Sequence, residues 1–192
     1  MDPRTNPYAP GAGTPPPELA GRDEIVERAD IAIHRIKKKL SARSLIFYGL
    51  RGVGKTVLLN HVRREAEAKG VVGVWIEAQE DRSLPAVLAP QLRAALLRLS
   101  RFDKLKKGAE RALRALAGFV NSVKIKYGDI EIGADFLPEP GLADSGDLET
   151  DLADLLKSVG EVAALHETAI IIFIDELQYV KEAEIAALIA AL

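Results

Sequence analysis

The chain reads as an α/β protein, a three-layer α/β/α arrangement with a parallel sheet between helices, plus an inserted helix and β-hairpin. Three observations predict this. Short β-branched and aromatic runs at 44–48, 71–76 and 170–174 alternate with stretches of helical periodicity, the pattern of strand–helix–strand units. A glycine-rich loop joins the first run to the helix that follows it. The last run ends in two adjacent carboxylates, Asp175 and Glu176, at the strand end where open parallel sheets line their ligand crevice.

Each element has its own justification. Residues 1–17 hold Pro3, Pro7, Pro10, Pro15, Pro16 and Pro17 with Gly11 and Gly13, a composition that forms an extended arm and no packed helix. Residues 18–192 form the domain proper, and a chain that is 48% hydrophobic has enough apolar residues for one sizeable core. Asp23 is the expected N-cap of a first helix reaching about Leu40, with Ile25, Ala29, Ile33, Ile36 and Leu40 on one face. Lys37, Lys38 and Lys39 suit its last turns, where the helix dipole favours cations. Segment 44–48 is expected as a buried strand. The helix after the loop places Leu58, Leu59, Val62 and Ala66 on one side, and Gly70 ends it. Strand 71–76 carries Trp75 as a core residue. Helices are expected at 85–99 and, strongly basic, at 102–120. Alternation over 123–132 around Tyr127-Gly128-Asp129 predicts a hairpin. A loop at 138–146 precedes an amphipathic helix at 147–166 with Leu148, Leu152, Leu155, Leu156, Val159 and Val162. The strand at 170–174 is expected to be buried on both faces, and a last helix starts near Glu182.

The chemistry begins at Gly49-Leu50-Arg51-Gly52-Val53-Gly54-Lys55-Thr56, which satisfies the phosphate-loop pattern G-x-x-x-x-G-K-[ST] between a strand and a helix. The fold class is therefore that of a P-loop NTPase. Glycines let backbone N–H groups close on a polyphosphate, and the helix N-terminus that begins around Thr56 and Val57 adds positive potential. Lys55 is expected to reach the β- and γ-phosphates and the Thr56 hydroxyl to ligate Mg²⁺. Arg51 stands at a variable position, either touching a phosphate or a neighbouring subunit or simply exposed. Asp175 is expected in the Mg²⁺ shell and Glu176 as the base that orients and deprotonates the attacking water. ATP and Mg²⁺ are the expected cofactors.

Composition excludes other classes. There is no cysteine, hence no disulfide framework, thiol nucleophile or thiolate metal site. The N-terminus has no apolar h-region and no run approaches the length of a membrane span, so a cytoplasmic protein without membrane contact is expected. His34, His61 and His166 fall on separate helices with no metal-ligand spacing. Asp175 is followed by Glu-Leu-Gln where a GTPase needs Asp-x-x-Gly, and no Asn-Lys-x-Asp or ABC-type signature appears. The net charge of −2 argues against a dedicated nucleic-acid binder, but its distribution is uneven. Residues 92–127 hold ten Lys or Arg against Asp103 and Glu110, whereas residues 128–192 hold fifteen Asp or Glu against Lys157 and Lys181. These are two solvated faces of opposite sign, or a basic segment that meets an acidic partner or a phosphate backbone.

The phosphate loop (Walker A) with an apolar strand ending in Asp175-Glu176 (Walker B) resembles the AAA+ ATPases and the related STAND ATPases. Leu19-Ala20-Gly21-Arg22-Asp23-Glu24 and Asp175-Glu176-Leu177-Gln178 resemble, more narrowly, the origin-recognition-type ATPases. The resemblance covers roughly residues 18–79 and 147–192. It implies an ATPase that drives or gates a macromolecular interaction, with Leu19, Ala20, Gly21 and Arg22 lining the adenine pocket. It also implies a polar residue near Glu77 or Gln79 restraining the catalytic glutamate. Lys55 and Asp175 are 120 residues apart, which leaves room for an insertion at about 82–146. Within it, residues 102–136 are expected to project as a satellite with one thin apolar face, freeing Lys104, Lys106, Lys107, Arg111 and Arg114 for a partner. A family member would continue past Leu192 with a sensor strand, arginine finger and lid, so the chain resembles the N-terminal part of such a module. The alternatives are a nucleotide-gated switch or scaffold with little hydrolysis, and an origin-recognition-like ATPase that contacts DNA through the basic insertion. A protein partner or self-association is expected in either case.

Overall fold

The computed structural model describes residues 21–100, 106–127 and 137–192. The proline-rich arm, Leu19, Ala20 and Lys104 lie outside them. The chain divides into two compact units, residues 1–71 and 72–192.

The first unit contains α1 (Asp23–Lys37), the phosphate-loop segment and α2 (Lys55–Ala68). Helix α1 buries Ala29 and Ile33, α2 buries Leu58, Val62 and Ala66, and the two helices contact each other. Asp23 is the first helical residue; the cap position belongs to Arg22, whose carbonyl accepts the Ile25 and Val26 N–H groups at 3.0 Å each. Asp23 and Glu24 then act on the dipole of the first turn. Helix α2 ends as expected at Gly70, φ 78°, where the Gly70 N–H reaches the Glu67 carbonyl and the Val71 N–H reaches that of Ala66.

Segment 44–48 does not form the expected strand. Leu45, Ile46 and Tyr48 are exposed, Tyr48 to 94%. The only sheet among the described residues pairs two other strands, so this segment has no ladder to satisfy its backbone. β-Propensity reflects a fit to a half-buried pleated surface and does not create a strand alone.

The second unit contains β1 (Val72–Glu77), α3 (Leu84–Ser100), α4 (Lys106–Tyr127), α5 (Leu148–Leu165), β2 (Ile170–Asp175) and α6 (Glu182–Ala191), with one 3₁₀ turn, Leu177–Tyr179, after β2. Strands β1 and β2 pair in parallel, Val72 opposite Ile170 through Glu77 opposite Asp175. The fold is thus the expected P-loop NTPase-like α/β type with a parallel sheet. Side chains alternate strictly across the pair. Val72, Val74 and Ile76 with Ile170, Ile172 and Ile174 pack into the core built by α3 to α6. Trp75, Phe173, Glu77 and Asp175 belong to the opposite face. Phe173 is the one fully buried residue of β2, the rest being half-buried, so the expected complete burial on both faces is not observed. Trp75 is half-buried.

Helix α4 corrects two expectations. It runs through Tyr127, so the first arm of the expected hairpin is helical; the second arm lies outside the described residues. Five residues of alternating polarity fit either period, and Val123 continues a helical stripe of Ala109, Ala112, Leu116, Phe119 and Val120. Nor is the helix a satellite. Phe119 and Leu116 are among the most buried side chains, and α4 packs against both α3 and α5 as a central part of the core.

Helix α3 tolerates Pro90 in its interior. Proline lacks the N–H that the Ala86 carbonyl would accept, and the Arg82 guanidinium donates to that carbonyl instead, at 3.3 Å.

Candidate nucleotide site

Two groups of sequence-predicted residues are assembled, one in each unit. In the first unit the loop from Gly49 to Gly54 enters α2 with Gly52 at φ 83° and Gly54 at φ 85°. Both lie in the left-handed region, and a Cβ on either would meet nothing within 4 Å. The glycines are required by backbone conformation, and the space beside them is open. The Leu58 N–H, donating to the Gly54 carbonyl at 2.9 Å, begins the α2 ladder. The N–H groups of the preceding first turn have no intrahelical acceptor, which is what an anion at this position requires.

Cations hold the carbonyls of the same loop. Lys55 Nζ donates to the Gly49 carbonyl at 3.0 Å and the Leu50 carbonyl at 2.9 Å. Arg22 Nη2 donates to the Val53 carbonyl at 3.0 Å. Arg51 and Val53 are exposed, Thr56 and Val57 half-buried, and the Thr56 carbonyl accepts from Asn60 Nδ2 at 3.1 Å. Gly21, φ 71°, turns the chain into Arg22.

In the second unit, register places Glu77 beside Asp175 at the C-terminal end of the parallel pair, and the Ala78 N–H reaches the Asp175 carbonyl at 3.0 Å. Glu176 follows at φ 55°, ψ 38°, a left-handed conformation uncommon for a residue with a Cβ and found preferentially at functional sites. This kink carries the chain off β2 into the 3₁₀ turn. The Glu176 N–H donates to Asp175 Oδ1 at 3.0 Å, and Gln178 Nε2 donates to Glu176 Oε2. A polar residue does engage the glutamate, then, but it is Gln178, two positions on. Glu77 and Gln79 are exposed.

Each unit by itself carries an oxygen donor of the kind Mg²⁺ takes, the Thr56 hydroxyl in the first and the Asp175 carboxylate in the second. No group of three or more His, Cys, Asp or Glu among the described residues forms a complete metal cage. A hydroxyl, one or two carboxylates and substrate phosphates are the usual Mg²⁺ set.

Three polar devices of the second unit escaped sequence reasoning. Asp151, 0% exposed, accepts from the Ser145 N–H and hydroxyl at 2.7 Å each, the Ser122 hydroxyl at 2.7 Å and the Gly146 N–H at 3.0 Å. Buried Glu184 of α6 accepts the Leu84 N–H at 3.0 Å, placing a carboxylate on the N-terminus of α3. Gly118 faces the Leu142 carbonyl, which a Cβ would approach to 2.6 Å. Ser145 and Gly146 lie within six residues of Asp151, whereas its partner Ser122, Leu84 of Glu184 and Leu142 of Gly118 are distant in sequence and carry no local signal. Arg82 did have one: an interior proline marks the carbonyl four residues earlier as needing another donor.

A family model described as AAA ATPase domain matches residues 18–192. No curated protein matches the chain, and no solved structure does. No helix among the described residues is long and apolar enough to cross a membrane.

Proposed function

The chain belongs to the AAA ATPase domain family, and from that premise we propose that it binds ATP with Mg²⁺ at the loop around Lys55 and hydrolyses it to drive or gate a macromolecular contact. The observation that carries this reading is the state of the loop: left-handed glycines beside open space, N–H groups of the first turn without intrahelical acceptors, and Lys55 resting on carbonyls of its own loop. Phosphate oxygens are stronger partners for an ammonium than neutral carbonyls, so a nucleotide draws Lys55 onto its β- and γ-phosphates. Thr56 and Asp175 would hold Mg²⁺ through oxygen ligands, and the ion would neutralise phosphate charge. Glu176 takes the proton of the attacking water, and Gln178 orients it. Leu19, Ala20 and Gly21 are carried over from the family as base-side residues, and the protein acts in the cytoplasm.

Titration with a labelled ATP analogue and steady-state turnover test this. Lys55→Ala should weaken binding roughly 100-fold, the loss of charge-assisted hydrogen bonds. Glu176→Gln should retain affinity but lose at least about 100-fold in turnover. Unchanged affinity in the first variant would show the loop is not the site, and unchanged turnover in the second would remove Glu176 as the base.

A contact with a phosphate backbone is favoured by α4. Lys107, Arg111 and Arg114 are exposed at one-turn spacings, and none forms an ion pair among the described residues. Like charges at this spacing cost a helix a few tenths of a kcal/mol per pair. Replacing all three by Gln should weaken duplex DNA binding and flatten its salt dependence; identical salt slopes would point to a protein partner instead.

A further inference from the structure

We infer that Arg22 is a positioning residue for the phosphate loop: by holding the Val53 carbonyl it aims the Gly54 N–H at the phosphates. The inference rests on the proposed nucleotide site but differs from a place in the adenine pocket. Arg22 Nη2 lies 3.0 Å from the Val53 carbonyl oxygen. The described chain has no cis peptide bond. In a planar trans peptide the C=O and the following N–H point in opposite directions. A guanidinium on the Val53 carbonyl therefore orients the Gly54 N–H away from Arg22, and Gly54 is the residue whose left-handed φ opens the loop into α2.

The anchor is itself fixed. The Arg22 backbone caps α1 through its carbonyl, so its side chain projects from the rigid end of a helix. Lys55 donates to two loop carbonyls and is also the residue proposed to reach the phosphates. Arg22 has no such second task and keeps the Val53–Gly54 peptide oriented whether or not nucleotide is bound. Its effect belongs to the polyphosphate chain and is independent of any base.

The test uses the full chain with Mg²⁺ and two probes, ATP and inorganic tripolyphosphate, which lacks the nucleoside. Arg22→Ala should weaken both by the same factor, about tenfold for one charge-assisted hydrogen bond. Arg22→Lys, which keeps a cationic donor, should restore most of both affinities. The Gly54 amide resonance of the ¹⁵N-labelled, nucleotide-free protein should move in Arg22→Ala and return toward its place in Arg22→Lys. Loss for ATP alone would place Arg22 on the base side and overturn the inference while leaving the proposed function standing. Loss for both probes with an unmoved Gly54 resonance would make Arg22 a direct phosphate ligand, which also overturns it. Unchanged affinity for both probes overturns it as well. Wild-type protein that binds neither probe would overturn the proposed function, and this inference with it.

Discussion

Two loops of this protein are held by charged side chains, with opposite polarity. The phosphate loop has its carbonyls engaged by cations, Lys55 and Arg22, at the surface. The loop before α5 has its N–H groups at Ser145 and Gly146 engaged by a carboxylate, Asp151, in the interior. In the first, acceptors are tied and donors are left available. In the second, donors are tied and all four hydrogen bonds to the carboxylate are made within the fold. A loop built to receive an anion keeps its N–H groups unspent, whereas a loop built to hold a core together uses them at once. Under the proposed function the first arrangement leaves binding capacity, and the second stores stability.

That contrast is open to direct test. The largest effect is expected at Asp151. Asparagine keeps the shape but turns one acceptor into a donor, which must then face either Ser145 or the Ser122 and Gly146 donors. Asp151→Asn should cost about 2–4 kcal/mol in chemical denaturation, because a buried donor pair is left unsatisfied. A cost below about 1 kcal/mol would mean the four bonds are not what secures that loop. Arg22→Ala should show the reverse pattern, weaker tripolyphosphate binding with a melting temperature close to wild type. The smallest effect is expected where the backbone is strained without any ligand to justify it. Glu167 follows α5 at φ 53°, and its N–H and that of Thr168 close the same helix-ending motif that Gly70 closes after α2. Glu167→Gly should stabilise by roughly 0.5–1 kcal/mol. Destabilisation would show that the Glu167 side chain makes a contribution larger than the strain.

Local information carried much of the candidate site. The phosphate loop is contiguous, and its glycines are required by φ angles that only a residue without Cβ adopts comfortably. The acidic pair is contiguous too, on a strand whose parallel pairing follows from the apolar run. The end of α2 at Gly70 and the span of α5 were legible for the same reason. What stayed hidden is long-range. Arg22 meets Val53 from 31 residues away and Glu184 meets Leu84 from 100, and nothing near either residue announces the partner. Gln178 on Glu176 is close in sequence, but it depends on a left-handed backbone that a glutamate does not advertise.

Two segments show where the division falls. Residues 44–48 have the composition of a buried strand and lie exposed, and α4 has the charge of a surface excursion and lies in the core. By itself the sequence determined which residues could cradle phosphate, where α2 ends and what α5 spans, and which face of those helices is apolar. Only the tertiary structure decided what those faces and backbones meet. Periodicity records that a side of an element must be covered, but a strand exists only with a ladder partner, and burial only with a neighbour.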